Sequence, residues 1–420
     1  MTDTAPSPRR ARRVLDTGTS YMVVGTLIAA TAAYVFQLVA GRALGPEEFA
    51  PITVLWTLQF LVFTTVLMPM EQMTIRRLNE SDPTAAPWKL HVRVIALTAV
   101  GSVVFAWITM GELLADDGAF LLIVAPLIIG YGIFGLGRGY LAGRHRFREY
   151  GLATLAESVL RLALALVVLA AGAGAVGIGW TLVAGSITVL AWRPFRRDGV
   201  TTPPGAVEPG TTARLTTFIT ANAASQTIVA SGPLLVAGLG APRAEVSVFF
   251  ETFLLFRAPL TVAYSLVARI LPPFTRLITE GRVAEVKRWA LRMGAAGVLL
   301  GAGGYALGRL LGPIGVETLL GEEFRPTASL AGYAGGGAAI ATVALFAQQI
   351  LIAMRSMGRL AAAWLSGLAV SAIVVALASG SPSLRVGVAF LTGEAVALAL
   401  IVIAIVSAPD RPPDEAQRAP

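Results

Sequence analysis

Over 420 residues the chain is 55% hydrophobic and only 14% charged, against about 25% in a soluble globular protein, and its mean hydropathy is +0.71. Apolar character along the whole length excludes a soluble domain and points to many membrane-spanning helices rather than one anchor. The absence of cysteine excludes disulfides and zinc-thiolate sites, and a net charge of +8 in such a chain reports membrane topology rather than nucleic-acid binding.

A span needs about 20 apolar residues. Thr17 to Gly41 carries no charge and is the first expected helix. It is longer than a signal-peptide core and lacks a small-residue cleavage site, so it reads as retained. Further spans are expected at about 50–70, 91–111, 119–142, 151–171, 174–192, 213–238, 246–272, 289–311, 326–354, 360–379 and 384–406, twelve in all. The uncharged run Leu162–Trp192 is 31 residues, too long for one span and too short for two. With AGAG at 171–174 as the turn, the fifth helix must reach back through Glu157 and Arg161, which places both charges in the membrane. The longest outer connection is expected at 312–325. The two histidines, His91 and His145, are read as lying in polar connections, so no histidine metal site is expected.

Lys and Arg set orientation by clustering on the cytoplasmic side. With the N-terminus inside, 24 of the 33 basic residues fall in inner segments and five in outer ones, and Arg138, Arg161, Arg257 and Arg269 sit in helices. The Pro/Gly-rich stretch 193–214 divides the spans into two sixes, and GRALGPEEFAPITVLW after helix one is weakly echoed by GLGAPRAEVSVFFETF after helix seven. The expected organisation is an all-α polytopic membrane protein: a cytoplasmic N-terminal tail (1–14), a six-helix lobe (15–193), a cytoplasmic linker (194–212), a second six-helix lobe (213–406) and a cytoplasmic C-terminal tail (407–420). The halves would be parallel repeats, as in many secondary transporters.

An ionisable group in a span costs at least about 2.5–3.5 kcal/mol on insertion scales, so it faces protein or water. Glu157 and Arg161, one turn apart, can neutralise each other, either as a structural pair or at a cavity edge. Arg257 lies two residues before Pro259 in mid-span, where a cation suits a phosphate. Arg138 lies among Gly135, Gly139 and Gly143, a small-residue stripe for close helix packing. Glu251 sits toward the outer end of its helix, and Gln37, Asn222, Gln226 and Gln348 are polar groups able to bond sugars or join helices. GYGIFG (130–135) lacks a preceding strand and is no dinucleotide site. No Walker A sequence or nucleophile–base pair supports ATP hydrolysis or covalent catalysis, so no enzyme and no cofactor is expected.

GRALGPEEFAPITVLWTLQFL, RGYLAGRHRFREYGLATLAESVLRLALALVVLAAG and FFETFLLFRAPLTVAYSLVARILPPFTRLITEG resemble the oligosaccharide-flippase (polysaccharide exporter, Wzx-like) branch of the MATE-like flippase superfamily, over about 14–406. The resemblance implies two six-helix lobes around a central cavity. It also implies passage of a polyprenyl-(pyro)phosphate-linked oligosaccharide across the bacterial cytoplasmic membrane by alternating access. Arg257 would meet the pyrophosphate with Arg138 helping. Glycan polymerases and glycosyltransferases of the same pathway would be partners. Lipid II flippases place cavity arginines in helices one and two, which this chain lacks. Drug exporters of the family use a buried acid early in the N-terminal half, where Asp16 stands only at the mouth. The alternative function is a cation-coupled multidrug or small-molecule exporter of the MATE type.

Overall fold

In the computed structural model, residues 8–80, 88–196 and 211–409 are described. Most of the expected tails and linker therefore lie outside the described residues, as does the Arg269 side chain. The described residues form helices and no strands.

The chain divides into two compact units, Met1–Leu44 with Leu58–Glu208, and Gly45–Thr57 with Pro209–Pro420. The helices in chain order are α1 (Pro8–Val62), α2 (Met68–Glu80), α3 (Trp88–Ile108), the single turn α4 (Met110–Leu113), α5 (Gly118–Gly143), α6 (Phe147–Ala170) and α7 (Gly174–Ser186). They continue with α8 (Thr211–Ala230), α9 (Gly232–Gly238), α10 (Arg243–Thr279), α11 (Val283–Leu320), α12 (Ala328–Ala353), α13 (Met357–Leu377) and α14 (Pro382–Val406). Among the described residues, nine helices are long and apolar enough to cross a membrane. One of them runs from Val24 to Ile75 and is broken at Gly45, so it supplies two spans. Among the described residues α8 and α9 together fill the seventh expected position and α10 the eighth, so that helices occupy all twelve.

Local chemistry explains the boundaries. At Gly45 φ is 74° and ψ 167°, a conformation open essentially to glycine alone, and Pro46 then restarts the helix with a missing N–H that a first turn does not need. Between α1 and α2 lies one turn of π-helix, Phe63–Leu67. Thr64 and Thr65 there donate to the Phe60 and Leu61 carbonyls at 2.8 and 2.6 Å, satisfying acceptors that the widened turn exposes. Asp117 caps α5 by accepting from the Ala119 N–H at 2.8 Å, and Thr327 and Ser381 cap α12 and α14 in the same way.

Two expectations are corrected. The stretch expected as the outer connection 312–325 is helical up to Leu320, followed by a 3₁₀ turn at Glu322–Phe324. Gly312 and Pro313 read as breakers, yet a Cβ at Gly312 would press on Ala331 and the Phe256 ring, so glycine is there for close packing within a continuing helix. His91 is in α3 rather than a polar connection; it is 1% exposed, and its Nε2 is 2.9 Å from Thr74 Oγ1 on α2. Among the described residues no cluster of metal-ligating groups is present.

In the N-terminal unit α5 is the buried centre, and its glycine stripe faces α2. A Cβ on Gly139 would stand 3.1 Å from the Glu71 carbonyl, and one on Gly143 2.7 Å from Leu78. The missing side chains let α2 approach α5 closely enough for their charged groups to meet. Outward, apolar side chains such as Leu97, Leu299 and Leu377 are exposed, as a hydrocarbon solvent requires.

Candidate functional site

The N-terminal unit holds two carboxylate–arginine–tyrosine clusters. In the first, α6 presents Glu157 and Arg161 one turn apart, with Oε1 and Nη1 at 2.6 Å and side chains 7% and 4% exposed. Tyr131 from α5 donates to Glu157 Oε1 at 2.5 Å and accepts from Arg161 Nη1 at 2.7 Å. Ser158 donates to Glu157 Oε2 at 2.8 Å. The Arg161 guanidinium also lies 5.5 Å from the Phe36 ring centre. A Cβ on Gly185 of α7 would be 2.9 Å from the Glu157 carbonyl, so glycine there seats α7 against the pair. Beside Phe36, Gln37 is fully buried, and neither of its amide atoms has a hydrogen-bond partner.

In the second cluster, Arg138 Nη2 is 3.1 Å from Glu71 Oε1. Tyr150 accepts from Arg138 and donates to the same Glu71 oxygen at 3.0 Å. Three rings surround the guanidinium: Tyr150, Phe134 and Phe63, with centres at 4.5, 5.4 and 5.6 Å. Phe63 opens the π-turn and also meets Tyr131 edge-on, so the turn aims one ring at both clusters. Tyr131 and Arg138 on α5, like Tyr150 and Glu157 on α6, are seven residues apart, two turns or about 10.5 Å. The clusters are thus stacked along one α5–α6 seam.

In the C-terminal unit a cavity of about 350 Å³ lies among α8, α9, α10, α13 and α14. The helix break at Ser231 opens it, and α10 supplies Phe249, Phe250, Phe253 and Arg257. Phe249 stacks on Phe253 with ring centres 4.1 Å apart, and Phe253 meets Phe390 of α14 edge-on at 5.2 Å. Ser371 on α13 donates to the Ala389 carbonyl at 2.8 Å, tying two walls together. Among the described lining residues Arg257 is the one that carries charge. Glu394, one turn beyond Phe390 on α14, is within electrostatic range of Arg257, is fully buried, and neither carboxyl oxygen has a hydrogen-bond partner.

No family model matches the chain. Uncharacterized proteins of Mycobacterium tuberculosis and Mycobacterium bovis are each 29% identical over 332 residues, 73% of this chain and 74% of theirs. An inward-facing multidrug resistance MATE family transporter of the MOP superfamily superposes with a TM-score of 0.64 at 14% identity, covering 90% of this chain and 93% of its own. The chain has a MATE-like fold. A MATE in a bent conformation gives 0.54 at 14% identity over 94% and 96% of the two chains. A MOP superfamily transporter from Pyrococcus furiosus, described by a reverse polarity of its binding pocket that suggests a different function, gives 0.51 at 15% over 93% and 95%.

Within this MATE-like fold the residues singled out from sequence separate into groups. Glu157 and Arg161 do pair, and Arg138 is engaged by Glu71 and Tyr150. Arg257 lines the cavity, whereas Glu251 falls about 150° round α10 from that lining face; it is 1% exposed, and its Oε1 lacks a hydrogen-bond partner. Asn222 and Gln226 sit on α8, half-buried and buried, and neither lines the cavity. Gln348 accepts from the Trp364 indole N–H at 3.0 Å and shares a small void with Glu394. Sequence reasoning missed Tyr131, Tyr150 and the cavity phenylalanines. The last had a signal: Phe249, Phe253 and Arg257 follow at four-residue spacing, one face of a helix.

Proposed function

We propose that this protein transports a polyprenyl-(pyro)phosphate-linked oligosaccharide from the inner to the outer leaflet of the bacterial cytoplasmic membrane by alternating access, with both termini cytoplasmic. The observation that carries the reading is the polarity of the two units' interiors. In the N-terminal unit the buried carboxylates Glu71 and Glu157 are each closed by an arginine. Among the described lining residues of the C-terminal cavity the charge is carried by Arg257, set in largely aromatic and aliphatic surface. An arginine in such surroundings suits a phosphate, offering charge and paired donors together. Arg257, in the cavity lining, would meet the pyrophosphate with Arg138 helping, and the oligosaccharide would be met by polar groups such as Asn222 and Gln226. Glycan polymerases and glycosyltransferases would act on either side of the step.

The test is mass analysis of polyprenyl-linked sugars in cells depleted of the protein, with an external probe reporting leaflet. Build-up of an inward-facing lipid-linked oligosaccharide, reversed by wild type but not by Arg257→Ala, is expected. A second reading, a cation-coupled multidrug exporter, draws support from the buried carboxyls of Glu251 and Glu394. It requires unchanged lipid intermediates together with new sensitivity to cationic drugs, and that result would replace the first reading.

A further inference from the structure

The C-terminal cavity reaches further than its arginine. Along α10 it extends eight residues from Phe249 to Arg257, about 12 Å, and its surface is mostly carbon, with Thr227, Ser231 and Ser371 among the lining. Four phenylalanines, Phe249, Phe250, Phe253 and Phe390, line it. Its rim includes Leu235 of α9, 40% exposed, and the exposed Ala372 of α13, so the mouth is apolar as well. A site meant for a water-soluble anion would not open through hydrocarbon-like walls, because the ion would be stripped of water before meeting its partner. At about 350 Å³ the space is at the low end of small-molecule sites, which run from roughly 300 to 1,000 Å³. It takes a stretch of one chain, not the paired chains of a diacyl lipid.

We infer that this cavity is a binding site for the phosphate-proximal stem of a single-chain isoprenoid phosphate: hydrocarbon lies along the phenylalanines, the phosphate meets Arg257, and the rest of the chain leaves between α9 and α13. The inference rests on the flippase reading and assigns its lipid a place. The break at Ser231 lies in the cavity wall. Just past that break glycine is required, because a Cβ at Gly232 would collide with the Phe249 ring.

The test uses the full-length protein in nanodiscs of neutral phosphatidylcholine and a benzophenone-bearing farnesyl pyrophosphate as photoprobe. Cross-links are expected on peptides of α10, α13 and α14. Unlabelled farnesyl pyrophosphate should compete, while inorganic pyrophosphate and phosphatidylglycerol should not. Arg257→Gln should weaken labelling about tenfold or more through loss of a charged hydrogen bond. Ala372→Trp, which narrows the mouth and leaves Arg257 in place, should abolish it in a protein of unchanged thermal stability. Equal competition by phosphatidylglycerol would make this a bulk-lipid site, and by inorganic pyrophosphate a headgroup site without a stem; either overturns the inference. So would labelling indifferent to both substitutions. Labelling as expected without any lipid-linked intermediate in depleted cells would leave the cavity assigned and overturn the flippase instead.

Discussion

Replacing Arg161 by leucine removes one member of the ion pair on α6 and leaves Glu157 buried. The two groups are 2.6 Å apart, an attraction of roughly 6 kcal/mol at an effective dielectric of about 20. Desolvation of two ions costs several kcal/mol each, so the pair as a whole contributes little net stability. Removing one partner is different, because the survivor keeps its desolvation cost and loses the attraction; such losses run to about 3–5 kcal/mol. Tyr131 and Ser158 remain as donors to Glu157 and hold the cost toward the lower end. Arg161→Leu is thus expected to destabilise by about 3 kcal/mol, Glu157→Leu by a similar amount, and the double leucine variant to return close to wild type. Unfolding of the four proteins in one detergent, followed by tryptophan fluorescence, completes a double-mutant cycle. A double variant as unstable as the sum of the singles would refute the reasoning. If the double variant folds and still clears lipid-linked intermediates, the pair is a helix-packing device; if it folds and fails, the pair belongs to the transport machinery.

Gly143→Leu should destabilise by about 1–3 kcal/mol through overpacking against Leu78 and Ile75, read by thermal unfolding in detergent, with Gly111→Leu as the open-space control. Gly45→Ala forces a side chain into a glycine conformation and should cost about 1–3 kcal/mol in the same assay. Asp117→Ala removes the α5 cap and should lose about 0.5–2 kcal/mol, largely restored by Asp117→Asn.

The helices were legible because a bilayer leaves few choices: apolar runs of the required length must be helical, and charges mark their ends. The same rule misplaced the end of α11, since glycine and proline at 312 and 313 signal a break in water, while in a packed span glycine also marks contact. Within the site, Glu157 and Arg161 were readable as a pair because their partnership is local to one helix. The pairing of Glu71 with Arg138 spans 67 residues, and that of Tyr131 with Glu157 spans 26; both depend on which faces of separate helices meet. Single-sequence periodicity does not specify that. His91 shows the same limit, for its partner Thr74 belongs to another helix.

The turn at Phe63–Leu67 has a consequence for the chain's history. A π-turn is an α-helix with one residue too many, and by widening a single turn it takes up a surplus that would otherwise swing everything beyond it round by about 100°. Deleting a single residue there would return the segment to ordinary α-geometry with Glu71 still facing Arg138, whereas keeping every residue in strict α-geometry would swing Glu71 away. Relatives that lack the surplus residue should therefore still carry the Glu71–Arg138–Tyr150 arrangement, so that a one-position gap in an alignment at this turn would mark an insertion the helix absorbed without disturbing the polar seam.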